Sequence, residues 1–228
     1  MRKTVLFDLD DTLYSELDFV RSGYQAAAEL IRQRYGLTGD IAGQLWTLFE
    51  ENPRRVFNRI LDNNDICYSE EDVLAIVRAY REHDPLIKLF PDAHETLLTL
   101  KDMGCGLGMI TDGYPVSQRK KLNALFEGKA QQFFDRIILT DELGKDYHKP
   151  DERAFIMMLE FFHSDWNKMV YVGDNPEKDF YIGNRYPILT VRLFGNDGVY
   201  KNSPYYEDIR ELVSIQSLSE LPEIIKRI

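Results

Sequence analysis

A chain of 228 residues, 44% of them hydrophobic, can bury a proper core without disulfide staples. Its two cysteines, Cys67 and Cys105, stand apart and outside any CxxC or Cys/His cluster, which argues against a zinc or redox centre, and a formal net charge of -10 argues against a duplex-DNA footprint. No run approaches the ~20 apolar residues of a membrane span and no charged segment with an apolar stretch opens the chain, so the expectation is a cytoplasmic protein, monomer or homodimer, without nucleic-acid or membrane partners.

The first element is the apolar run at residues 5–7 of "KTVLFDLDDTLYSE", a buried strand followed at once by Asp8, Asp10 and Asp11. Residues 14–89 offer no convincing strand. Instead "SELDFVRSGYQAAAELIRQRYG", "IAGQLWTLFEEN", "PRRVFNRILDNN" and "SEEDVLAIVRAYREH" suit amphipathic helices, with Pro53 placed for the first turn of the third and Ser69 with Asp72 as a capping box for the fourth. "PDAHETLLTLKDMG" predicts a helix from Pro91 to a stop at Gly104, and "GLGMIT" and "FDRIILT" predict strands. "KPDERAFIMMLEFFH" predicts a helix with Asp151 as N-cap, "MVYVGD" and "ILTVRL" two more strands, and the tail "LVSIQSLSELPEIIKRI" a short strand and a closing helix. Alternating strand and helix implies parallel pairing with right-handed crossovers. The expected fold is a doubly wound, Rossmann-like α/β core at residues 1–14 and 90–228, with an all-helical cap inserted at residues 15–89.

In open α/β sheets ligands bind beyond the carboxyl ends of the strands. Those ends carry Asp8 and Asp10, then Thr111, Asp112 and Gly113, then Lys149, then Asp174 and Asp179. Several carboxylates cannot share a small site without strong repulsion unless a cation joins them. Oxygen donors without a His or Cys cluster favour Mg²⁺ over Zn²⁺, and Mg²⁺ pairs readily with phosphate oxygens. Lys149, the Thr111 hydroxyl and the amides around Asp112 and Gly113 add donors for a phosphoryl group.

"DLDDT", "TDG", "KP" and "GDNPEKD", in this order, resemble the four motifs of the haloacid dehalogenase superfamily, and the helical insert resembles its subfamily I cap. The resemblance implies a Mg²⁺-dependent phosphatase acting on a small phosphorylated metabolite. It makes Asp8 the nucleophile that forms an aspartyl-phosphate, and Asp10 the general acid and base. It gives Thr111 the phosphoryl oxygens, Lys149 the restraint of nucleophile and phosphate, and Asp8, the Asp10 carbonyl and Asp174 the metal, with Asp179 in support.

Two rivals share these features. A phosphosugar mutase uses the same fold and differs in the lifetime of its aspartyl-phosphate. A receiver-like signalling module also combines acids, Thr and Lys on a doubly wound sheet, but lacks a helical insert after the first strand and carries its phosphorylated Asp on a later one. A dehalogenase needs no acid at the Asp10 position, and phosphonate cleavage needs a cap lysine for which there is no obvious candidate. For the leaving group, Arg54, Arg55 and Arg59 have two readings. They extend into water beside Glu50 and Glu51, or one of them faces the site and binds an anionic, non-reacting part of the substrate.

Overall fold

Each apolar run rich in β-formers becomes a strand, and two of these strands stop directly before Asp8 and Asp174. The computed structural model describes residues 2–195 and 198–227. After β1 (Thr4–Phe7) come four helices, α1 (Glu16–Tyr35), α2 (Ile41–Glu51), α3 (Val56–Asp62) and α4 (Glu70–Arg81). The chain then alternates through α5 (Ala93–Asp102), β2 (Gly106–Thr111), α6 (Pro115–Phe126), β3 (Arg136–Leu139), the short α7 (Thr140–Leu143), α8 (Arg153–Phe162), β4 (Met169–Gly173), the short α9 (Ile182–Arg185), β5 (Leu189–Leu193), β6 (Val213–Ile215) and α10 (Leu221–Arg227).

All six strands run parallel in the order β3-β2-β1-β4-β5-β6. The chain winds outward from β1 through β2 to β3, then returns to β4 on the other side of β1. The reversal lies between β1 and β4, so the crevice beyond their carboxyl ends is where this topology places a ligand. Side chains alternate across the sheet. Val5, Phe7, Leu107, Met109 and Val172 join α5, α6 and α10 in one apolar layer, while Leu6, Ile110 and Tyr171 join Phe155 and Met158 of α8 in the other. Both faces are thus covered, as a parallel sheet requires.

The four inserted helices bury an apolar cluster of their own, with Tyr24, Ile31, Leu45, Ile60 and Ile76 at its centre. Where the chain leaves and re-enters the sheet region, Tyr14 pairs with Leu89 and the Phe90 amide donates to Leu13 O at 2.8 Å. Ser69 and Asp72 form the expected capping box. The third helix departs from expectation. It begins at Val56, not near Pro53, because Asn52 Oδ1 captures the Arg54 amide at 2.9 Å and Arg55 adopts a left-handed φ of 54°. Asp151 stands one residue outside the N-cap position of α8, yet its Oδ1 still accepts from the Arg153 amide at 2.9 Å. The tail's short strand and helix are both present. Among the described residues no helix is long and apolar enough to cross a membrane.

Glycine at 108 lets α8 lie directly on β2. A Cβ there would stand 2.6 Å from Leu6 Cδ2 and 3.1 Å from Phe162 Cε2, closer than packed carbons tolerate. Gly108→Val is expected to lose about 1–3 kcal/mol of unfolding free energy through overpacking. Urea denaturation checks this, and an unchanged midpoint would contradict the close approach.

Candidate active site

Asp8 follows β1 directly. Its amide still donates to Val172 O at 2.9 Å, so the strand geometry carries into the first acid and aims it past the sheet edge. Lys149, from the loop before α8, places its Nζ 2.8 Å from Asp8 Oδ1, 2.9 Å from Asp179 Oδ1 and 2.7 Å from the Tyr171 hydroxyl. Asp179 Oδ2 accepts from the Asn175 amide at 2.9 Å. Asp174, just past β4, is fastened through its backbone, where Arg192 Nε donates to its carbonyl at 3.1 Å. Carboxylate oxygens of Asp8, Asp174 and Asp179 lie within 4.8 Å of one another, and all three residues are buried.

Asp10, two residues on, belongs to a different electrostatic neighbourhood. Lys121 Nζ donates to its Oδ1 at 2.6 Å, as does the Tyr14 hydroxyl, while Gln118 Nε2 donates to its Oδ2 at 3.0 Å. The Gln118 amide also reaches Thr111 Oγ1 at 2.6 Å. Asp112 is bound by Thr140 Oγ1 at 2.8 Å, the Lys149 amide at 3.2 Å and Lys178 Nζ at 3.0 Å. Over these groups opens a cavity of about 270 Å³, lined by Asp8, Asp10, Glu16, Asp112, Gly113, His148, Asp174, Asn175, Lys178 and Tyr200.

Residues 2–182 match the family model for haloacid dehalogenase-like hydrolases. The chain belongs to that family. It is 30% identical over 244 residues to a glyceraldehyde 3-phosphate phosphatase of Methanocaldococcus jannaschii, an alignment covering 100% of this chain and 99% of the relative. Among solved structures it resembles a HAD phosphatase from Thermococcus onnurineus, with a TM-score of 0.61 and 24% identity over 98% of this chain and 97% of the other. It also resembles the HAD-hydrolase YfnB of Bacillus subtilis bound to magnesium, with a TM-score of 0.67 and 21% identity over 98% of each chain. At these identities the two structures speak to the fold alone.

Of the residues singled out in the sequence of this haloacid dehalogenase-like hydrolase, the structure gathers Asp8, Asp10, Asp112, Gly113, Asp174 and the ammonium of Lys149 around one crevice. Thr111, Lys149 and Asp179 do not line the cavity itself. The Gly113 amide is engaged by Asp141 Oδ1 at 3.1 Å. The three arginines lie elsewhere. Arg54 and Arg55 are exposed ahead of α3, and none of the three lines the cavity. Arg59 closes the C-terminus of α2, donating to Leu48 O and Asn52 O at 2.8 Å each and pairing with Glu51 at 2.6 Å. Cations at helix C-terminal carbonyls are favourable, which accounts for Arg59 without a ligand.

Sequence reasoning passed over Gln118, Lys121, Lys178, Glu16 and the tyrosines at 14 and 171. Gln118 and Lys121 had a signal, since they lie three apart and so share one face of the helix that follows "TDG". Asp11 is buried and caps α1, accepting from its first amide at 2.7 Å. His148 lines the cavity and pairs with Asp141.

The donor set fits a hard divalent ion. Asp174 Oδ2 is buried without a hydrogen-bond partner among the described residues, and its neighbours Asp8 and Asp179 supply further oxygens. Burial, then Asp179 and Asp8, push the Asp174 carboxyl well above the carboxylate range, so without a cation the site retains protons. Burial pushes Asp8 up to about 6 against the pull of Lys149, and burial with Asp10 pushes Glu16 up to about 8. Burial alone would raise Asp10 too, but Lys121, Tyr14 and Gln118 reverse the balance and hold it below its ordinary value. Asp112 is likewise held at about 2, with Lys149 and Lys178 overcoming burial.

These shifts set a pH dependence. Carboxyls that hold their protons more tightly when folded stabilise the native state fully below their unfolded values, 3.8 for Asp8 and 4.5 for Glu16, and lose that contribution as pH rises through the folded values of about 6 and about 8. Chelated protein is therefore expected to lose at least about 1 kcal/mol, or ~2–4 °C in Tm, between pH 5 and pH 8. A divalent ion should remove much of that slope. Thermal melts with and without chelator across that range measure it, and a chelated Tm that rises with pH would contradict the charge arrangement.

Proposed function

We propose that this hydrolase is a Mg²⁺-dependent phosphatase of small phosphate monoesters, working through an aspartyl-phosphate on Asp8, with residues 15–89 as its cap. The observation that carries the reading is the pairing of two carboxylates, two residues apart, in opposite environments. Asp8 faces the acidic, cation-hungry end of the crevice, whereas Asp10 is held by three donors. Pairs of acids whose surroundings push their pKa values apart divide nucleophilic and proton-transfer roles.

Asp8, Asp174 and the Asp10 backbone carbonyl would hold the ion, with Asp179 fixing the arrangement through Lys149 and Asn175. When bound, Mg²⁺ supplies charge neutralisation for the phosphoryl oxygens. In the first half-reaction an Asp8 carboxylate oxygen bonds to phosphorus, the bond to the leaving oxygen breaks, and Asp10 gives that oxygen its proton. The incoming phosphoryl charge raises the Asp10 pKa, favouring the proton-carrying form that Lys121 otherwise opposes. In the second half, Asp10 takes a proton from water, the water oxygen bonds to phosphorus, and the bond to Asp8 breaks to release inorganic phosphate. Lys149 holds Asp8 in line and offsets charge building on the phosphoryl group, which is worth most in a dry crevice. The acid at position 10 also separates the chain from dehalogenation, since a departing halide needs no proton.

Phosphate release from para-nitrophenyl phosphate tests this reading. Asp8→Asn is expected to reduce turnover to background, and Asp10→Asn to lower kcat by ~10²–10⁴-fold for alkyl phosphates and by less for the aryl ester, whose leaving group needs less protonation. Exhaustive chelation should abolish the activity and Mg²⁺ restore it. Wild-type turnover by Asp8→Asn, or by the chelated enzyme, would overturn the mechanism.

A further inference from the structure

The cavity has two walls that the chemistry above does not use, Glu16 and Tyr200. One buried carboxylate sets both. Asp11, turned into the left-handed region at φ 50°, accepts from the Glu16 amide at 2.7 Å through Oδ1 and from the Val199 amide at 2.8 Å through Oδ2. The first residue of α1 and the loop carrying Tyr200 are therefore fastened to the same group beside the nucleophile. Gly198 permits the close approach, since a Cβ there would meet Asp11 Oδ2 at 3.0 Å. Among the described residues no hydrogen-bond donor reaches the Glu16 carboxylate, which faces a cavity with room for a small leaving group.

Resting on the phosphatase reading, we propose that Glu16 is the specificity-determining residue of this site, selecting monoesters whose leaving group is a small, uncharged, hydroxylated compound and disfavouring those that carry a carboxylate or a second phosphate. An anionic tail needs a cation, and the cationic groups on the lining are engaged. Lys178 is paired with Asp112 at 3.0 Å and His148 with Asp141. Helices α2, α3 and α4 contribute no lining residue, so Arg54, Arg55 and Arg59 bring no charge to the tail. The field at this wall is already hostile to an anion. Asp10 shares this wall and Asp11 holds the Glu16 amide, so a negative charge placed here meets acidic neighbours and loses its water without gaining a cation. A hydroxyl, by contrast, gives the Glu16 oxygen the donor it lacks, and a site built to bond a hydroxyl discriminates against analogues without one.

The experiment compares kcat/KM for glycerol 3-phosphate and 3-phosphoglycerate, which differ at one carbon in charge, with para-nitrophenyl phosphate as a reporter of the phosphatase reading itself. Wild-type enzyme is expected to favour glycerol 3-phosphate by at least ~10-fold. Glu16→Ala should shrink that ratio at least ~5-fold, and Glu16→Lys, which supplies the missing cation, should carry it toward 3-phosphoglycerate. The ratio is insensitive to a general loss of active enzyme, and the wild-type value stands even if a variant fails to fold. Turnover of para-nitrophenyl phosphate with a wild-type ratio near one, or with a ratio that Glu16→Ala leaves unchanged, would overturn the role of Glu16 alone. No turnover of any ester with Mg²⁺ present would overturn the phosphatase reading beneath it.

Discussion

Three buried carboxylates whose oxygens lie within 4.8 Å share one directly bonded ammonium, that of Lys149, and this imbalance governs the rest of the crevice. Negative charge so concentrated, with so little water, is tolerable when protons or a cation make up the deficit. The sheet creates the problem by design of its topology. β1 and β4 are adjacent at the point where the winding reverses, so the residues that follow them, Asp8 and Asp174, must meet. Lys149 comes in from the loop before α8. Burial alone would lower its pKa, but Asp179 and Asp8 hold it well above the ordinary lysine range, so it stays charged where it is needed.

The three acids are consequently unequal. Asp179 has both oxygens occupied, one by Lys149 and Tyr171 and the other by the Asn175 amide, and acts as a tether between the lysine and the loop after β4. Asp174 keeps an oxygen open. Asp8 lies between them, beside the lysine and on the cavity wall. Asp10 escapes the imbalance because a second cation, Lys121, reaches it from α6 and packs over the Phe19 ring of α1 at 4.3 Å. The core helix and the first inserted helix thus meet at the residue assigned to proton transfer.

The sheet was legible in the sequence because a parallel strand buried on both faces is a nearly unbroken apolar run, and "GLGMIT" and "MVYVGD" can hardly be anything else. The acids were legible for the same reason, standing where such runs end. Lys121 and Gln118 were harder to see, because a polar residue on an amphipathic helix looks solvated until the packing shows which face turns inward. Glu16 and Tyr200 depended on a contact between residues 11 and 199, which no local pattern reports. The start of α3 was misplaced because proline marks a helix start well, but a left-handed Arg55 two residues after the helix-compatible Pro53 is a tertiary accommodation with no propensity behind it. Arg54, Arg55 and Arg59 were attractive as anchors by charge alone, and the carbonyls at the end of α2 supplied the closer partner for Arg59.

The central claim, that carboxyls in the crevice keep protons until a divalent ion replaces them, is tested most directly by counting protons as Mg²⁺ binds. Calorimetric titrations near pH 7 in buffers of different ionisation enthalpy give that count. The arrangement of Asp8, Asp174 and Asp179 requires a release of more than about half a proton per ion bound, diminished by Asp174→Asn. Saturable Mg²⁺ binding with no proton released would contradict it.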